Sequence, residues 1–390
     1  GTVSASLGGV AHLNKTTLGT VTLNGANTFS GDTRVQYGIL RVGHGLALQN
    51  STVHLSSEDQ GTLDLNALDV TLGGLKGVRD LQIPDGRKLS VGYNNNSTTY
   101  AGTLKGKDVV LEKIGTGTFI ITGDNIYSGV TKISAGALQI GDGGTSGSIN
   151  TPIENNGVLW FNRADSLEFK KTISGSGNLV KVGQGTLVLS GDNNYTGNTI
   201  VQQGTLLVNG NYAGNGTFQV GSLAATTAVL GGIGTITGNV YAAQLGEISP
   251  GTSIGTLSIE GNVILAGTLR VELNAEGTGF ADMLLVSGVF DINSASLVFS
   301  YDSPPDDPAY IFVTYGSRTG KGFVRVDNLP PGYRIDYNYL GQNKIAIVVP
   351  EPVGGPGTLL VAVGAHTIIQ RLKNRRGTTR TPRRETRAGS

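Results

Sequence analysis

Three stretches of this chain repeat one another without a gap, and that limits the available folds more than any other feature. Residues 19–43 read GTVTLNGANTFSGDTRVQYGILRVG, residues 117–141 read GTFIITGDNIYSGVTKISAGALQIG, and residues 185–210 read GTLVLSGDNNYTGNTIVQQGTLLVNG. Asn27, Asn125 and Asn193 coincide, as do the aromatics Phe29, Tyr127 and Tyr195. Gly31, Gly129 and Gly197 fall in register, and so do Gly38, Gly136 and Gly204, and the leucines at 40, 138 and 206. Within each copy, short runs alternate in polarity and end at Gly or Asn, the pattern of strands with one buried face. A unit this short cannot bury its apolar face alone, so the repetition predicts a solenoid of stacked rungs.

The rest of the chain fits that expectation. Glycine accounts for 61 of 390 residues and charged residues for only 15%, against about 7% and about 25% in ordinary globular chains. Hydrophobic residues remain at 38% and are patterned, which argues against disorder. No segment of ten or more residues before 353 carries a 3.6-residue period with caps. Short alternating strands continue to about 300, for example at 61–66, 157–162 and 267–273. At about 20–25 residues per rung, residues 1–300 make roughly 12–15 rungs of a parallel β-helix. The repeat asparagines belong in turns, where the side chain bonds nearby backbone, and the matched glycines are predicted to need positive φ. Ser303-Pro-Pro-Asp-Asp-Pro308 marks a change in composition. The longer aromatic strands after it predict a β cap over 301–349 that covers the open end of the stack.

The net charge of +1 hides an asymmetry. Residues 371–390 hold eight basic groups and one acid, a local charge of +7, so the other 370 residues carry −6. A mildly acidic body gives no reason to expect nucleic acid as a partner. The absence of cysteine excludes disulfides and thiolate chemistry. The sole methionine is Met283, so residue 1 is expected to follow a removed leader or a fragment boundary.

The motif G-T-L-x-L-S-G-x-N-x-Y-T-G-x-T, followed by x-x-G-x-L-x-V, resembles the passenger-associated transport repeat, also called the autotransporter-associated β-strand repeat. Residues 230–300, with G-T-I-T-G-N-V and S-P-G-x-S-I-G-T-L, resemble the region that commonly follows such repeats. The resemblance implies a right-handed parallel β-helix on a secreted, surface-displayed protein. After residue 300 there is no long series of amphipathic ~10-residue strands of the kind that builds an outer-membrane barrel.

A second resemblance lies at the C-terminus. Pro350-Glu351-Pro352, the apolar run Thr358–Ile369, and the basic cluster Arg371, Lys373, Arg375 and Arg376 are similar to a PEP-CTERM sorting signal over 350–376. A basic tail, 377–390, is expected to be disordered. The resemblance implies a short C-terminal helix that holds the chain in the membrane before processing. It also implies an exosortase-type enzyme as partner, and a place at the cell envelope, outer surface or extracellular matrix of a Gram-negative bacterium that makes exopolysaccharide. The apolar run is 12 residues, short of the ~20 that span a bilayer, while Arg375 and Arg376 fit the positive-inside rule.

A parallel β-helix also serves as a scaffold for polysaccharide lyases and hydrolases, which need clustered carboxylates and a basic side chain on one face. The candidates are Asp124, Asp192 and Lys132. Both acids occupy the turn position of the repeat, where Asp is favoured structurally, and the first copy has Ala26 there. His12, His44, His54 and His366 show no metal-binding spacing, and no phosphate-binding loop, nucleophile elbow or calcium-binding glycine repeat is present. No cofactor, metal or catalytic residue is therefore assigned. Tyr127, Tyr195, Tyr212 and Trp160 would stack on sugar rings if they lined one outer face; otherwise the repeat aromatics cover turn backbone. The expectation is a non-enzymatic, adhesin-like or architectural surface protein, with exopolysaccharide as a candidate partner. A polysaccharide-active enzyme is the alternative.

Overall fold

Strands of three to five residues bury too little to persist alone, and in this chain each finds its partner one turn later. A computed structural model describes residues 1–221, 226–274 and 281–350. Over these the chain winds as a right-handed, all-β parallel solenoid of about 13 turns. The sole helical piece among the described residues is the 3-10 turn Tyr339–Gly341. The expected C-terminal helix lies outside the described residues.

Each turn has three faces. On the first, Leu89, Leu111, Thr131, Ile153 and Ile173 stand in one column. On the second, Tyr100, Ile121, Ile140, Phe161, Lys181, Val201, Val220 and Ala242 follow one another. On the third, Leu187, Leu206, Leu230, Ile248 and Leu269 do the same. All are buried, and these columns form a single core. The ladder stays parallel until Ala309–Thr319, which pairs in parallel with Met283–Asp291 on one edge and antiparallel with Lys344–Val348 on the other. Arg334–Asp336 then pairs antiparallel with Lys344–Val348. Ile345, Ala346, Ile347 and Val348 are all buried there.

The repeats do not stack in one phase. Leu13–Lys15 and Asn178–Lys181 lie on the second face, whereas Val109–Lys113 lies on the first. Lys113 follows Lys15 by 98 residues and Lys181 follows Lys113 by 68, and followed through the strand registers neither spacing returns the lysine to the face it left. The motif is therefore indifferent to the face it occupies.

Three devices recur in each copy. The first is an asparagine bridge. The Oδ1 atoms of Asn27, Asn125 and Asn193 accept the backbone N–H of Leu7, Leu104 and Ile173, one turn back, at 2.8 Å each. Their amides donate to Ala47, to Gly123 and Ser148, and to Gly191. The expected local turn bond is present at Asn125 and Asn193, and a bond between rungs is added to it. The second is an aromatic turned into the core: Phe29 and Tyr127 are 4% exposed and Tyr195 is fully buried. The hydroxyls of Tyr127 and Tyr195 reach Thr131 and Thr199 on the following strand. These rings lie within the core.

The third device is a buried lysine. Lys15, Lys113 and Lys181 are 5%, 2% and 1% exposed and have no carboxylate partner among the described residues. Lys113 donates to the carbonyls of Ile114 at 2.6 Å and Gly115 at 2.8 Å, and to Ala135 of the next turn at 3.2 Å. Lys15 reaches Thr17 and Tyr37 in the same way, and Lys181 reaches Gly183 and Gln203. Each ammonium thus staples two stacked turns.

The upper turn of each staple contains a glycine at φ 67°, 66° or 72°: Gly38, Gly136 or Gly204. Positive φ is needed there, as the sequence predicts. Gly31 and Gly197 do not have it; a Cβ at either would come within 2.2 Å of a carbonyl oxygen in the rung below, so close approach is what demands glycine.

Removing a staple orphans carbonyls and opens space, so Lys181→Ala is expected to lower unfolding free energy by about 2–4 kcal/mol in denaturant titration. Burial also pulls the ammoniums of Lys113 and Lys181 down to about 8. Between that value and the unfolded 10.5 the unfolded chain binds more protons, so stability rises with pH. Burial raises the phenols of Tyr100, Tyr127 and Tyr195 above 10, so their ionisation on unfolding erodes stability above that pH. The melting temperature is expected to climb from pH 8 toward 10 and then fall, with the climb flattened in the Lys113→Met, Lys181→Met double variant.

Candidate functional site

Of the residues assigned to sorting, Pro350 is exposed at the end of the described chain. Glu351, Pro352, Arg371, Lys373, Arg375 and Arg376 lie outside the described residues, as does His366.

The acids and the base considered for catalysis are not brought together. The phase shift between repeats puts Asp124 and Asp192 on different sides of the solenoid. Each is exposed and serves its neighbours: Asp124 accepts from Ser148 Oγ at 2.9 Å, and Asp192 accepts the N–H of Asn211 at 3.1 Å. Lys132 points outward from the first face and pairs with Glu154 at 2.7 Å. These are turn caps and a surface ion pair of the kind that contributes little. His12 and His44 accept the N–H groups of Asp32 and Leu46. Among the described residues no group of three or more His, Asp or Glu is placed to hold a metal ion. Tyr127, Tyr195 and Tyr212 are buried and present no ring to solvent; Trp160 is half-buried on the outer side of the second face.

Two grooves in the surface are lined by charged side chains. The larger, about 510 Å³, runs between Asp32, Thr52, Lys76 and residues Asn96 to Thr99. Lys76 is closed onto Asp32 at 2.6 Å. Beside them on the same outer row, burial and then the charges of Lys76 and Arg34 hold the His54 imidazole below its usual range.

The smaller groove, about 350 Å³, lies on the third face and was not anticipated from the sequence. It is lined by Glu247, Arg270, Glu272, Asp282 and the loop Ser249 to Ser253. Three carboxylates and a guanidinium therefore converge on one exterior groove. Arg270 forms a two-pronged pair with Glu247, at 2.8 and 3.0 Å. Asp282 is 2% exposed, and burial, with the nearby Glu272 charge adding, pushes its carboxyl up to about 7. A carboxyl that keeps its proton near neutrality beside a second carboxylate is a pattern found in acid-assisted glycoside cleavage. Both oxygens of Asp282 are nevertheless spoken for. Oδ1 accepts the N–H of Gly255 at 3.0 Å and Oδ2 that of Glu272 at 2.9 Å. The carboxyl ties the loop after Pro250 to the strand Thr268–Glu272. The signal in the sequence was the S-P-G-x-S-I-G-T-L stretch, whose loop needs such an anchor; Asp282, 27 residues beyond Gly255, shows no local pattern.

Comparison with known proteins agrees with the geometry. The chain matches the passenger-associated-transport-repeat family at residues 13–42, 111–140 and 179–208. It is 32% identical over 200 residues to the adhesin BmaC autotransporter of Brucella suis, covering 46% of this chain and 5% of that protein. It is 34% identical over 130 residues to an extracellular serine protease of Serratia marcescens, covering 33% and 12%. It is 33% identical over 114 residues to the autotransporter lipoprotein NalP of Neisseria meningitidis, covering 28% and 10%. The matched part thus spans about an eighth or less of each of these relatives. The family match begins six residues before each repeat as delimited above and so takes in the stapling lysine.

Because Asn offers one acceptor where Asp282 offers two, Asp282→Asn is expected to cost about 1–3 kcal/mol of stability. The Asp282 carboxyl has a folded pKa above its unfolded 3.8, so its contribution is full below 3.8 and is lost as pH rises through about 7. Thermal melts between pH 5 and 8 should show that decline in the parent and not in the variant.

Proposed function

We propose that this chain is part of an exported, non-enzymatic β-solenoid of a Gram-negative bacterium, working at the outer surface or in the extracellular matrix as an adhesin-like or architectural element. The observation that carries the reading is that the repeat side chains singled out on chemical grounds are engaged in stacking one turn on the next. The relatives that share these repeats include an autotransporter adhesin and extracellular proteases, and the shared part is the repeat region. That pattern supports a stalk or display surface. Residues 350–376 would direct export through an exosortase-type enzyme that cuts near Pro350-Glu351-Pro352, with Arg371, Lys373, Arg375 and Arg376 held on the cytoplasmic side. In cells lacking that enzyme the full-length chain, tail included, is expected to stay in the membrane fraction; normal processing there would sink the sorting assignment.

The groove at Glu247, Arg270, Glu272 and Asp282 favours a second reading, a polysaccharide-active enzyme. Incubating the purified chain with a panel of acidic and neutral polysaccharides separates the two. Under the structural reading no new reducing ends or unsaturated products appear. Turnover abolished by Glu272→Gln, with the fold intact by circular dichroism, would establish the enzyme.

A further inference from the structure

The second face carries two outward rows that none of the repeat devices uses. In the first, Trp160, Val180, Ile200, Gln219, Tyr241 and Ile264 stand one above another on successive turns, with Val180 covered by its neighbours at 5% exposed. Tyr241 and Ile264 are 44% and 49% exposed. Trp160 is half-buried: part of its ring is open to solvent, while its indole N–H is turned inward and has no acceptor among the described residues. Two positions back from the row's members after Trp160, about 6.6 Å away, runs the second row: Asn178, Asn198, Thr217, Asn239 and Asn262; the position beside Trp160 is Val158. Here Asn178 Oδ1 accepts the N–H of Asn198, Asn198 Oδ1 that of Thr217, and Asn239 Oδ1 that of Asn262. Asn262 in turn accepts from Val289. The oxygens are consumed by the ladder, and this fixes the amide orientation. The four NH₂ groups are left without a partner among the described residues and face solvent.

We infer that these paired rows form a binding track for a linear, uncharged polysaccharide in an extended conformation. The inference rests on the surface-display reading above. Sugar rings present an apolar face to an aromatic or aliphatic platform and hydroxyls to amide donors at the side, and the two rows supply these in parallel. The rung spacing of about 4.8 Å is close to the length of one pyranose residue in an extended chain, so amides and platforms recur in step with the ligand. Charge selects the class. Neither row contains an acid or a base, whereas the first face carries Glu112, Lys132 and Glu154 in its outward row. A track without cations offers nothing to a polyuronate. A second copy of the chain is a poor occupant: five rung spacings, about 24 Å, by one side chain in width fall well short of the ~800 Å² per partner that a stable protein interface buries.

The test is affinity electrophoresis of the full chain through gels containing uncharged linear glycans (hydroxyethylcellulose, xyloglucan, galactomannan) or alginate, at low and high salt. At least one uncharged glycan is expected to retard the parent equally at both salts. Trp160→Ala and Tyr241→Ala should each weaken retardation by about tenfold or more, the loss of one stacking platform. Trp160→Phe should keep most of it, and Lys132→Ala on the first face should change nothing. All sites are on the outside, and matching melting temperatures confirm the folds. Retardation by none of the uncharged glycans overturns the inference, as does salt-sensitive retardation by alginate alone. Parent dimers in sedimentation that Trp160→Ala dissolves would assign the track to a second copy and overturn it too. Each of these leaves the display reading standing if the chain still reaches the cell surface; retention inside the cell would sink that reading whatever the gels show.

Discussion

The structure depends on one constraint: in a parallel stack every turn of chain, corners included, must lie one strand spacing from the next. Between strands the ladder satisfies backbone groups automatically. At corners it does not, and a buried N–H or C=O without a partner is costly. The chain meets this with side chains of fixed chemistry. Asp80, Asp85, Asn95 and Asn156 each accept a backbone N–H from the turn above. The lysine staples supply donors to corner carbonyls. Where neighbouring backbones come too close for any Cβ, as at Gly31 and Gly197, glycine is left. High glycine, abundant Asn and low charge are thus the compositional signature of corner stacking.

Much of this was legible in the sequence because the solenoid is local. Alternation at Leu187 and Leu189, or at Leu138 and Ile140, gives the strands. The gapless recurrence of Asn, aromatic and Gly gives the rung, and its length gives a turn count close to the observed one. What escaped was whatever depends on the azimuth of a residue. Lys113 and Lys181 sit in the short stretches just before the repeats, and their burial follows from carbonyls on two different turns. Asp282 and Glu272 reach one groove only through register between distant strands. The aromatic at Tyr195 has the same neighbours in sequence whether it covers a turn or fills the core, and only the space inside the corner decides.

The candidate surfaces differ in how much of their polarity is already used. At the third-face groove both oxygens of Asp282 are engaged and Arg270 is paired with Glu247, so their arrangement is first an explanation of how a loop is held. On the second face the asparagine oxygens are engaged and the nitrogens are not, and Tyr241 and Ile264 beside them are exposed. A stack is well suited to that separation of roles, because one edge of a side chain can serve the rung above while the other remains available.

The repeats' indifference to face has a consequence for how such a chain can be rebuilt. With the staple and the bridge working equally on the first and second faces, a third of a revolution is as acceptable an increment as a whole one. Adding or losing some seven residues between two repeats would rotate everything downstream about the axis while leaving each local joint unchanged. Lengthening the stack and re-aiming its surface are therefore separate operations, and the spacing between lysines, 98 residues and then 68, records both.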